Sequence, residues 1–166
     1  MAVTRFELTS RNLAAGGASF GDVGQYELLR GTLHFAVDPS HPDSRLITDI
    51  ALAPTEPNGT VHFASDVQIL KPVEAPAGGS LLFDVVNRGN RTVLSFNSAL
   101  QPPPDEDPDL GNGFLMREGF TVVFCGWQTD VPDGRLALHA PEALDANGQQ
   151  LKGQTYQQFD VLKDTC

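Results

Sequence analysis

The chain has 166 residues, 40% of them hydrophobic, and 11 Lys and Arg against 21 Asp and Glu leave a net charge of −10. That length suits one domain of about 100–200 residues, and ten Phe supply material for a core. The acidic balance opposes nucleic acid, whose phosphates need clustered Lys and Arg, and apolar runs such as Thr121–Trp127 are far shorter than the about 20 residues that cross a bilayer.

Met1–Glu7 has no basic stretch followed by an apolar one, so no export signal is read and a cytoplasmic, reducing location is expected. There Cys125 and Cys166 are free thiols, and two Cys could not build a disulfide scaffold or a Cys-rich zinc site in any case. Asn58-Gly59-Thr60 and Asn90-Arg91-Thr92 match the glycosylation pattern, by chance if the chain is not secreted.

Gly and Pro number 16 and 12, so turns are frequent and long helices few. Val3–Leu8 reads as a first strand, and Leu33–Val37 alternates cleanly before the Asp38-Pro39 turn. Leu46–Leu52 reads as another strand, closed by Ala53-Pro54. Asn58-Gly59 is a hairpin signal, followed by strands at Val61–Ala64 and Val67–Leu70. The first seventy residues thus read as an antiparallel meander.

The pattern changes after Gly78-Gly79. Leu81–Val86 is almost continuously apolar, as in a strand covered on both faces. Asn87–Asn90 stops it, and the acidic, proline-rich Pro102–Asp109 reads as a surface loop. Phe114–Glu118 forms a short helical turn, with Val93–Leu100 the other segment able to give helical cover, and Phe120–Trp127 is a second buried strand. Strand, helical connection and strand predict that Leu81–Val86 and Thr121–Phe124 are parallel neighbours in one sheet. Leu136–His139 and Thr155–Leu162 read as strands on either side of a turn at Ala146–Gln149. No internal repeat is present.

Ser19–Glu27, Gly31–Pro39, Leu82–Asn90, Gly111–Val123 and Gly126–Pro132, taken in order, resemble the N-terminal part of a family of large α/β-hydrolase-domain proteins of poorly defined activity. The resemblance implies a β-rich α/β fold, an antiparallel N-terminal meander leading into the first strands of a hydrolase-type mixed sheet with few short helices. Residues 1–166 would be a single domain, the N-terminal portion of such a protein. In that fold a buried strand precedes a Gly-containing loop that supplies a backbone N–H of the oxyanion hole, which makes Asn87, Arg88, Gly89 and Asn90 the oxyanion-loop candidates. Trp127 and Gln128, at the end of the next strand, are pocket-lining candidates. Full-length relatives would hydrolyse a small ester-type substrate through a serine acyl intermediate.

No catalytic residue is assigned. Gly17-Ala18-Ser19-Phe20-Gly21 has the Gly-x-Ser-x-Gly form, but no buried strand precedes Ser19 and Gly21–Gly24 is a poor helix start. It reads as a decoy in a Gly-rich turn. The alternative to a hydrolase portion is a non-catalytic β-rich domain that binds a small molecule or a partner chain.

No metal or cofactor is expected. His34, His41, His62 and His139 lack the spacing of a zinc site, and Asp105, Asp107 and Asp109 fail as a calcium loop because Met116 stands where a bidentate Glu is needed. Cys125 reads as core rather than nucleophile. The short helices leave part of the parallel strands without cover, so the chain alone is expected to expose an apolar patch and to self-associate or pair with a missing C-terminal half.

Overall fold

The β-branched and aromatic alternation of the sequence produces one mixed sheet. The computed structural model describes residues 2–74, 79–154 and 156. Its strands are β1 (Ala2–Leu13), β2 (Tyr26–Val37), β3 (Val61–Pro72), β4 (Leu81–Val85), β5 (Thr121–Cys125) and β6 (Leu138–His139). The order is β1-β2-β3-β5-β4, with the short β6 also on β3. The first three strands form an antiparallel meander, β3 and β5 are antiparallel, and β4 runs parallel to β5 from Leu81↔Thr121 to Val85↔Cys125. The parallel pair expected from the sequence is therefore present, and the fold is the β-rich mixed sheet with few short helices. Among the described residues, the single α-helix, α1 (Phe114–Arg117), lies within the β4–β5 connection.

Strand side chains alternate between faces, so the register divides the sheet. One face carries Leu28, Leu70 and Val122, then Gln68, Phe124 and Asp84, all buried. The β4–β5 connection closes over it. Leu94, Leu110, Leu115 and Met116 pack with Tyr26, Leu28, Leu70, Val122 and Phe124 into the core. Burying one such side chain fully contributes roughly 1.5–3 kcal/mol. Polar ties hold the cover down. The Tyr26 hydroxyl lies 3.1 Å from Met116 O and 3.0 Å from Phe120 O, while Asp84 accepts from Thr92 Oγ1 and from the Val93 N–H at 3.0 Å each.

The opposite face carries Leu29, Ile69, Val123 and Phe83 in one row and Gly31, Val67, Cys125 and Val85 in the next. On β4, Leu81, Phe83 and Val85 are 65%, 54% and 62% exposed. The Phe6 ring crosses Gly31, whose backbone sits so close that a Cβ would lie 2.6 Å from the ring. At the far end Val37, Val61 and Phe63 border a groove with Ile47 and Ile50. The expectation that Leu81–Val86 is covered on both faces is thus wrong. Its apolar run is covered on one side only, because the β4–β5 connection returns across one side of the sheet.

Other expectations are corrected as well. Leu46–Leu52 is not a strand. It contributes to 3-10 turns at Pro42–Leu46 and Ile50–Leu52, with Asp49 left-handed at φ 57° and Leu46 91% exposed. Val37 pairs directly with Val61, so residues 38–60 are a long connection between neighbouring strands and Leu46–Leu52 joins no ladder. For the same reason Asn58-Gly59 turns the chain into β3 rather than joining two paired strands, and the two segments read at Val61–Ala64 and Val67–Leu70 are one strand. Of Leu136–His139, only Leu138–His139 pairs, with β3. The helical cover expected over Val93–Leu100 is a 3-10 helix at Thr92–Asn97. Thr155 and 157–162 of the last expected strand, and Cys166, lie outside the described residues.

Candidate functional site

The carboxyl ends of the parallel strands bring the two groups of sequence candidates together. Leaving β4, the chain turns tightly through Asn87–Asn90, with an Asn90 N–H to Asn87 O bond of 3.1 Å. Arg88 and Gly89 both take positive φ, at 51° and 73°. Gly89 is required by packing: a Cβ there would lie 2.6 Å from Arg135 Cβ and 2.8 Å from Leu136 N. Leu136 also donates to Gly89 O at 3.2 Å. This crowding accounts for the glycine without a ligand.

Leaving β5, Trp127 and Gln128 turn towards that loop. Trp127 Nε1 donates to Val86 O at 2.6 Å, and its ring stays 54% exposed. Gln128 Oε1 accepts the Arg88 N–H at 2.8 Å. An ion pair then ties the loops, Arg88 Nη1 to Asp130 Oδ2 at 2.7 Å. The Arg88 guanidinium holds the Asp130 carboxyl below its ordinary value, mainly by that hydrogen bond. Asp130 was not singled out by sequence, although it follows the same strand by only a few residues.

The turn therefore presents backbone N–H groups that are already engaged, one by a side-chain amide oxygen and one by a neighbouring carbonyl. Asn87 and Arg88 are exposed, Gly89 is buried and Asn90 is half-buried. A neutral oxygen on the Arg88 N–H stands in the position an incoming carbonyl oxygen would take, so Gln128 would have to give way before that N–H could stabilise an anion.

Nucleophile chemistry has no assembled partner. Ser19 sits in the β1–β2 connection, between the 3-10 turns Ala14–Gly17 and Gly21–Val23, and bridges to Gln25. A hairpin connection, not a strand-to-helix elbow, carries this Gly-x-Ser-x-Gly. His139 Nε2 meets Asp66 Oδ1 at 2.9 Å. Ser65 is the next residue on β3 and so points to the other face, where its hydroxyl lies 2.6 Å from Gly126 O and 3.2 Å from Cys125 Sγ. Among the described residues no serine hydroxyl or cysteine thiol is hydrogen-bonded to a histidine, and no group of three His, Cys, Asp or Glu side chains converges as a metal site. No helix among them is long and apolar enough to cross a membrane.

Sequence reasoning passed over a second polar cluster, on the closed face. Arg91 is 1% exposed, and its guanidinium donates to Gln68 Oε1 and to the carbonyls of Pro102, Pro103 and Glu106 at 3.1–3.3 Å. Burial lowers its pKa to about 10, so it remains a cation at neutral pH. Arg30 Nη2 adds bonds to Glu106 O and Asp107 Oδ1. These two arginines pin the acidic segment 102–107 onto the sheet. The signal was present in β2, where Arg30 falls on the same face as Leu28.

Set against known family models, characterised proteins and solved structures, the chain matches none.

Proposed function

We propose that the chain supplies the sheet and the oxyanion-side loop of an α/β-hydrolase-like protein acting on ester-type bonds. The nucleophile elbow and triad are contributed from outside residues 1–166, and the chain by itself is catalytically silent. One observation carries the reading: a parallel β4–β5 pair is closed on one face and leaves Leu81, Phe83 and Val85 bare on the other. Parallel strands are covered on both faces in α/β folds. The occupant of the open face is a helical segment of the same longer protein. The resemblance of Leu82–Asn90 and Gly111–Val123 to hydrolase-domain proteins points the same way, as does the meeting of Asn87–Asn90 with Trp127 and Gln128.

In the complete protein, movement of Gln128 Oε1 away from Arg88 frees one backbone N–H for a developing oxyanion, and the Arg88–Asp130 pair holds the loop while it does so. The Trp127 ring, exposed beside it, forms one wall for the acyl or alcohol part of the substrate. A cytoplasmic location belongs to the same proposal.

A fluorophosphonate label read by intact mass tests it. The 166-residue chain stays unmodified. The same chain joined in frame to the coding sequence after the Cys166 codon takes up one label, on a serine between a strand and a helix. Label on Ser19 of the short chain would overturn the silent half of the proposal. A stop codon, or a continuation without such a serine, would overturn the other half. Light scattering separates the occupants: a stable dimer abolished by Phe83→Asp would make the cover a second copy instead.

A further inference from the structure

The closed face carries a second feature, which does not rest on the hydrolase reading. Past Leu28 and Leu70, the next pairs along it are Arg30 with Gln68, then Thr32 with Asp66. The covering layer parts here and leaves an open cleft of about 420 Å³, floored by β2 and β3 and walled by the segments bearing Asp105 and Arg135. That volume falls within the about 300–1,000 Å³ of small-molecule sites.

The polar groups around the cleft are unequally committed. Asp66 accepts from the Ala137 N–H at 3.0 Å and meets His139 at 2.9 Å. Gln68 spends its amide on Pro104 O, at 2.6 Å, and on Arg91. Arg30 is spent at Nη2, but its Nε and that of Arg91 behind it are buried without an acceptor. Two opposite charges remain. Neither the Arg135 guanidinium nor the Asp105 carboxylate makes a hydrogen bond or ion pair among the described residues, although both line the cleft. A ligand with complementary ends would satisfy both.

We infer that the cleft binds a small carboxylate bearing an adjacent hydrogen-bond donor, that is, an amino acid or a hydroxy acid. Arg135, backed by Arg30, takes the carboxylate, and Asp105 takes the ammonium or hydroxyl. The net charge of −10 acts against an anion, and a zwitterion escapes that field, which extends about 8 Å at about 0.15 M salt. Amino acids are therefore bound ahead of hydroxy acids.

Amide NMR titration of the chain with alanine, and with lactate, acetate and alanine methyl ester, which replace the ammonium, lack the donor and mask the carboxylate in turn, tests this. Alanine gives saturable shifts confined to residues around Asp105 and Arg135, lactate binds more weakly, and acetate and the ester bind least. Arg135→Gln weakens alanine by about tenfold or more, and Asp105→Asn removes the preference for alanine over acetate. Both side chains are on the rim, so an unchanged thermal midpoint shows that the variants stay folded. No saturable shift with any of the four, acetate binding as well as alanine, or alanine binding unaltered by Arg135→Gln would each overturn the inference.

Discussion

The two faces of this sheet are built from the same strands and nearly the same residue types, yet they meet different surroundings. On one, Phe124 of β5 is fully buried under the β4–β5 connection; on the other, Phe83 of β4 is 54% exposed. Composition does not separate them. What does is the path of the chain between Val85 and Thr121, which can cover only one side. Apolarity in a strand thus reports that a face needs cover, not that the cover is present in the same segment of chain.

Substitution breaks the comparison most sharply. Phe124→Ala leaves a cavity in the core and costs about 3–5 kcal/mol, whereas Phe83→Ala on the open face costs less than about 1 kcal/mol. Urea denaturation of both variants measures the difference, and equal losses would show that the open face is closed in solution.

Tyr26→Phe probes what fastens the cover. Its hydroxyl reaches Met116 O and Phe120 O, and removing it costs about 1–2 kcal/mol. Burial also pushes the Tyr26 pKa up to about 12. A pKa raised by folding contributes stability that is whole below the unfolded value near 10 and is lost as pH rises towards 12. The wild type should therefore lose stability on that alkaline limb, and Tyr26→Phe should lose less of it.

Glu27 gives the opposite limb. Burial acts to raise its pKa, but hydrogen bonds and charge from Arg11 and Lys71 outweigh burial and hold it below the ordinary value. Its stabilisation is present above the unfolded pKa and lost as pH falls through the folded one. Glu27→Gln should flatten the acid limb of a stability–pH profile. The smallest effect is expected at the loops: Gln128→Ala frees the exposed Arg88 N–H and costs about 1 kcal/mol or less, with the sheet spectrum unchanged.

Most of the sheet was legible because strand signals are local. Alternation at Leu33–Val37, the turn at Asp38-Pro39 and the continuous run at Thr121–Phe124 marked β2, its end and β5, and the helical signal at Phe114–Glu118 implied the parallel pair. Failures came where pairing is decided at a distance. Leu46–Leu52 has strand-like composition but lies in the connection between two strands that pair with each other, and Leu81–Val85 has a core-like run with one face uncovered. At the candidate site, Asn87–Asn90 and Trp127–Gln128 were legible as loop ends of neighbouring strands. The Arg30–Arg91 cluster was passed over: Arg30 shares the Leu28 face of β2, but Arg91 binds backbone carbonyls that residue pattern does not mark, and it falls between the turn at Asn87–Asn90 and the helical segment at Val93–Leu100.

The direct test of the open face is native-state binding of an apolar dye. The wild-type chain at neutral pH and about 0.15 M salt, where long-range charge is screened, should enhance dye fluorescence while keeping a cooperative urea transition. The double variant Phe83→Asp and Val85→Asp should lose most of that signal with its sheet spectrum intact. A folded wild-type chain that leaves the dye dark, or a double variant that binds as much as the wild type, would contradict the account of a sheet finished on one face only.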